Sequence, residues 1–176
     1  MTFSHATGQY NVLGTLYAWL QAQLTTNLPP TLTAARLVVE MPIDSVDASS
    51  LPLYSVHVLG IDSEAEPYLG SIADSGMTGE HKYGICEVNC WATRRDTNWR
   101  AQLNQMQDAL TKAVVTARKT GSAIIVKDFY TNAAAPANTT YRITLDRVET
   151  RTPPYDPNPD IERRRVLIYF SWFERA

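Results

Sequence analysis

The hydrophobic positions of the chain change period several times, and each change marks an element. Tyr10, Leu13, Tyr17, Leu20 and Leu24 recur at helical spacing, and Leu16 and Trp19 widen the stripe. The pattern predicts a helix from about 11 to 26, closed by Asn27, Pro29 and Pro30. Gly14 costs a helix interior about 1 kcal/mol relative to Ala, so it marks close packing or a start nearer Thr15. Residues 35–41 read as a strand stopped by Pro42. Residues 53–59 alternate, with Tyr54, Val56 and Val58 on one face and Leu53, Ser55, His57 and Leu59 on the other. The polar loop between these strands is long for a tight hairpin.

The clearest passage runs from Tyr83 to Phe129. Residues 83–93 (YGICEVNCWAT) form a long strand. The turn at Arg94, Arg95 and Asp96 follows, with Asp96 or Thr97 as helix N-cap. An amphipathic helix over about 98–119 buries Trp99, Leu103, Met106, Leu110, Ala113, Val114 and Ala117. Arg118 and Lys119 suit its C-terminal dipole, and Gly121 stops it. Strands at 123–129, 141–148 and 165–173 complete the chain. The last (RVLIYFSWF) is apolar on both faces. The order α-β-β-β-α-β-β-β predicts a single α+β domain over 1–176, with a mixed or antiparallel sheet and two helices packed on it.

Two segments fit no regular element. Residues 62–80 carry Asp62, Glu64, Glu66, Asp74 and Glu80, no Lys or Arg, and glycines that break helix and strand alike. They read as an extended arm or mobile hairpin, because long irregular loops in compact domains are usually functional or disordered. Residues 149–164 carry Pro153, Pro154, Pro157 and Pro159, which stiffen an extended second arm.

Composition narrows the function. The 176 residues suit one domain whose core needs no staples. A net charge of −2 gives no broad field for nucleic acid or membrane. The sequence has no membrane-spanning run, and its start lacks the regions of a signal peptide. Assembly in a cytoplasm is the expectation. The two cysteines, Cys86 and Cys90, share one strand face. At about 3.3 Å per residue they lie ~13 Å apart, beyond disulfide reach, and read as small buried groups.

No catalytic, cofactor or metal site emerges. His5, His57 and His81 have no partner at metal-ligand spacing, and no nucleophile elbow, phosphate loop or HExxH is present. Glu64 and Glu66 could serve acid–base chemistry, but in a solvated loop nothing would shift their pKa. The chain therefore reads as a non-enzyme, with a small enzyme using the acidic arm as the competing class. Arg94 with Arg95, and Arg163 with Arg164 and Arg165, are short basic clusters. They suit ion pairs to acidic groups of the same or a neighbouring subunit, the acidic arm above all, better than nucleic acid. No strand carries the aromatic signature of an RNA-recognition module. The candidate contact residues are Asp62, Glu64, Glu66, Tyr68 and Asp74 of the first arm, Arg94 and Arg95 of the turn, and Tyr155, Asp156, Arg163 and Arg164 of the second. The last strand shows Leu167, Tyr169 and Phe173 on one face and Val166, Ile168, Phe170 and Trp172 on the other, and Trp91 points away from the face of Cys86, Val88 and Cys90. A sheet apolar on both faces needs a second layer or a second subunit, and oligomerisation is the expectation.

The passage GICEVNCWATRRDTNWRAQLNQMQDALTKAVV, the order of elements around it and the closing strand VLIYFSWFER resemble the tail terminator (tail completion) proteins of long-tailed bacteriophages. The resemblance is one of pattern over roughly 10–175, and the proline-rich segment is longer than the family leads one to expect. It implies a homo-hexameric ring on the last ring of the tail tube. Such a ring stops tube polymerisation and presents a surface to the head-completion or neck proteins. Its partners are then its own copies, the major tail tube protein and the neck, with DNA passing through the channel without specific binding. The place implied is the head-proximal end of the tail in the virion. The alternative is a head-completion or neck protein on the head side of the same junction.

Overall fold

The computed structural model describes residues 9–27, 36–39, 47–64, 79–121, 124–127, 142–153 and 159–175. The elements are α1 (Gln9–Asn27), β1 (Arg36–Val39), a short 3-10 helix (Ala48–Ser50), β2 (Leu53–Glu64), β3 (Gly79–Thr93), α2 (Trp99–Thr120), β4 (Ile124–Ile125), β5 (Arg142–Arg151) and β6 (Ile161–Arg175). The predicted order of helices and strands is the order found. No described helix is long and apolar enough to cross a membrane.

The strands form one six-stranded mixed sheet in the order β1-β2-β3-β6-β5-β4. β1 pairs with β2 in parallel, and all other neighbours are antiparallel. β3 and β6 lie at the centre. Each is 15 residues long, and they pair throughout, from Gly79 opposite Arg175 to Thr93 opposite Ile161.

Both helices cover one face. Cys86, Val88 and Cys90 of β3 and Val166, Ile168, Phe170 and Trp172 of β6 meet Leu103, Met106, Leu110 and Val114 of α2 in the main core. The Tyr54 hydroxyl donates to the Met106 carbonyl at 3.3 Å, tying α2 to β2. In α1 the deepest apolar residues are Val12, Leu16, Leu20 and Leu24. Leu13 and Tyr17 of the expected stripe lie half-buried at its margin. The helix runs through Gly14 without interruption. Thr15 is buried, and its hydroxyl accepts from the Lys127 N–H at 2.8 Å, so α1 is fastened to the chain just past β4.

Several predicted boundaries move. β2 extends to Glu64 and β3 begins at Gly79, with Glu64 opposite His81. The two ends of the expected irregular arm, 62–64 and 79–80, are therefore paired strand, since backbone pairing carries on through polar residues that hydrophobic alternation cannot mark; 65–78 lie outside the described residues. β5 runs to Arg151 past an irregularity between Leu145 and Arg147, and β6 starts at Ile161. The proline-rich connection shrinks accordingly. Of the strand expected at 123–129, only 124–127 are described, and of these Ile124–Ile125 form strand. The N-cap of α2 is Asn98, not Asp96 or Thr97. Asp96 instead accepts from the Asn98 N–H at 2.9 Å and from the Gln102 side chain at 2.7 Å, which holds the turn that precedes the helix. Gly121 ends α2 at φ 60°, in the left-handed region that favours glycine.

Candidate functional site

The face of the sheet turned away from the helices is where polar chemistry gathers. Alternation along β3 sends Glu87, Asn89 and Trp91 there, opposite to Cys86, Val88 and Cys90. Burial is deep on this face too: Glu87 is 6 % exposed, Asn89 1 % and Ser55 0 %. A buried carboxylate needs partners, and Glu87 has them. Arg165, on the neighbouring β6, donates from Nε to Glu87 Oε2 at 2.8 Å and also pairs through its terminal nitrogen. Asn89 Nδ2 donates to the other oxygen at 2.7 Å. The Trp91 indole N–H donates to Ser55 Oγ at 2.8 Å, and His57 shares a hydrogen bond with the same hydroxyl at 3.0 Å. Asn89 Oδ1 is buried without a hydrogen-bond partner among the described residues.

A second charged group lies on β5. Glu149 accepts from Arg151 at 2.8 Å, and Arg147 reaches its other oxygen at 3.3 Å. The Arg151 hydrogen bond, with the Arg147 charge behind it, holds the Glu149 carboxyl below its ordinary value. Arg147 also lies over the ring of Tyr169, 3.8 Å from its centroid. Leu53, Trp91 and Ile161 form a small apolar cluster at one end of this face, with Arg163 5.2 Å above the Trp91 ring.

These contacts bear on one expectation. Of the four apolar groups expected to need a second layer or subunit, Trp91 and Leu167 are already buried within the single chain and Tyr169 is half-buried, while the side chain of Phe173 is not among the described ones. Arginine stems and planes lie over the aromatic rings. The expectation rested on residue type alone and did not count the long polar side chains that cover their neighbours.

The predicted contact residues separate into groups. Asp62 and Glu64 stand in β2, opposite Tyr83 and His81, and not in an irregular loop. Glu66, Tyr68, Asp74, Tyr155 and Asp156 lie outside the described residues. Arg94 and Arg95 pair with acidic groups of the same chain, within the segment read as the second arm: Arg94 meets Glu162 and the Pro159 carbonyl, and Arg95 meets Asp160 at 2.5 Å. The Arg94 backbone N–H also donates to the Asp160 carbonyl at 2.8 Å. These contacts bind the turn after β3 to the entry of β6. Arg163 stacks on Trp91, and Arg164 donates to Thr152 Oγ1 at 2.6 Å. Both belong to β6 and not to the arm.

Sequence reasoning missed Glu87, Asn89 and Glu149. A carboxylate midway along a strand buried on one face was a usable signal, because it demands a cation on a neighbouring strand. Which strand stood next to β3 was not legible.

The thiols offer no nucleophile. Burial, with the Glu87 charge adding to it, pushes Cys86 up to about 12, and burial alone raises Cys90. Both stay protonated near neutrality, as a reactive cysteine does not. Among the described residues no group of three or more His, Cys, Asp or Glu side chains could hold a metal ion.

No family model matches the chain, and no curated protein matches it. Among solved structures, a chain from the virion of a native gene transfer agent (GTA) particle is similar. Its TM-score is 0.47 at 16 % identity, covering 94 % of this chain and 99 % of that one.

Proposed function

We propose that the chain is a structural protein of a phage-like virion that caps the tail tube as a ring, stops tube polymerisation and joins the tail to the head. The action is binding and blocking, without turnover. The observation that supports this most is the central strand pair. The passage that carries the tail-terminator resemblance becomes β3, a tight turn and α2, and the closing aromatic strand becomes β6. Those two strands pair over their whole length. A joint that must hold two assemblies in register needs such a stiff member, with its contact surfaces at either end.

The chemistry of the outer face agrees with a scaffold. Glu87 and Glu149 are engaged by arginines, and the thiols are buried and protonated. Carboxylates so committed hold the sheet together and are not poised as acid or base. In the capping reading the segment 65–78 and the proline-rich connection to β6 meet the tube and the neck, and acidic residues towards a channel let DNA phosphate slide past.

The test is functional. Purified protein added to growing tail tubes should end elongation at substoichiometric amounts relative to the tube subunit. Tubes that lengthen at the same rate with and without it would exclude capping.

A further inference from the structure

The end of the sheet where β3 and β5 finish and β6 begins holds more cations than carboxylates. Arg94, Arg95 and Arg165 each have one, from Glu162, Asp160 and Glu87. Arg147 and Arg151 share Glu149. Arg163 has none among the described residues. It sits opposite Trp91 on the face turned away from the helices, with its Cζ 5.2 Å from the centre of that ring. Trp91 is a fixed platform, because it is buried and its indole N–H is bonded to Ser55. Stacking of this kind holds a guanidinium in place before any anion arrives. Of the Arg163 nitrogens only Nε is buried without a partner. The two terminal nitrogens, which have no partner among the described residues either, therefore reach solvent.

Strand geometry supplies the second half of the site. Arg165 follows Arg163 on the same face, and Arg151 is the partner of Arg165 across to β5. Arg165 is engaged by the buried Glu87, whereas Arg151 is exposed and shares its carboxylate with Arg147. Arg163 and Arg151 are thus diagonal neighbours, about 8 Å apart. That is close to the spacing of residues i and i+2 in an extended chain, about 7 Å. Two acidic side chains separated by one residue match it. A nucleic acid matches less well. Glu149 stands between Arg147 and Arg151 on the same face, where a uniformly negative backbone would meet it, and the Trp91 ring is already covered, so no base can stack there.

We infer that Arg163 and Arg151 form a docking site for an acidic, extended segment of a partner protein. One carboxylate bridges the two terminal nitrogens of Arg163, and a second, two residues away, meets Arg151. The site goes beyond the capping reading and does not rest on it, because it is a surface of the single chain.

The probe is the peptide acetyl-Glu-Thr-Glu-Thr-Glu-amide, titrated into the full chain and followed by the NMR signal of the Trp91 indole N–H. The wild type should bind it, more weakly as salt rises, and should ignore the peptide with Gln in place of Glu. Arg163→Gln should bind at least about tenfold more weakly. Arg163→Lys keeps the charge but not the planar fork and should fall between the two. Arg151→Gln should lose a smaller part. Arg118→Gln, in the last turn of α2, should bind like wild type. Melting curves establish which variants are folded, and Arg163→Lys carries the test if Arg163→Gln is not. No response of the wild type, equal response to the Gln peptide, or Arg163 variants that bind as tightly as wild type would overturn the inference. So would a DNA oligonucleotide of the same charge that binds more tightly than the peptide, since the face would then be a nucleic-acid surface.

Discussion

The ring of Phe170 fills the space over Gly84, its cross-strand partner between β6 and β3. A β-carbon on Gly84 would lie 2.8 Å from Cε2 and 2.9 Å from Cε1 of that ring, with Cζ nearer still. Phe170 cannot easily retreat, because it is buried and stacks on Trp172 at 5.6 Å. The glycine is there for close approach. Gly84→Ala should destabilise the fold by about 1–3 kcal/mol through overpacking. Denaturant unfolding measures it, and a variant as stable as wild type would mean that the ring yields.

The Glu87–Arg165 pair makes a second case. Arg165→Met leaves a carboxylate that is 6 % exposed with only Asn89 as partner. The loss should be about 3 kcal/mol, at the lower edge for a buried pair because Arg165 retains some solvent contact. Changing Glu87→Gln together with Arg165→Met should recover part of it. A double variant no better than the single one would show that the residual cost is packing and not stranded charge.

The sheet was legible in sequence where one face is apolar. Alternation marked 53–59, 83–93 and 165–173, and helical spacing marked α2 to within a residue or so. Alternation stops at polar residues, however, and β2, β5 and β6 all continue past that point because their backbones still have partners. The split between Arg94 and Arg163 was beyond sequence reading for a related reason. Both read as cations suited to ion pairs, and only the neighbour relation of β3 to β6 gives the first its Glu162 and leaves the second on Trp91.

Acid should act through Glu149. Its folded pKa lies below the ordinary value of 4.5, held there first by the Arg151 hydrogen bond. The stability it contributes is present above the unfolded value and is lost as pH falls through the folded one. Thermal melts of wild type and Glu149→Gln should therefore differ at neutral pH and converge in acid. A constant difference across that range would assign the loss to packing.

Alkali should act through the thiols. The folded pKa of Cys86 is about 12 against an ordinary 9.0, so its contribution is complete below about 9 and is lost as pH rises towards 12. Cys90 shifts in the same direction. Both thiols should resist an aromatic disulfide reagent at pH ~8 in the native protein and react at once in denaturant. Rapid native labelling of either would contradict their burial.

The most direct measurement is the position and copy number of this chain in imaged virions. The account predicts a ring of six copies seated on the head-proximal end of the tail tube. Density on the portal side of the neck would favour the head-completion alternative. Absence from the head–tail junction, or a stoichiometry other than sixfold, would contradict the account.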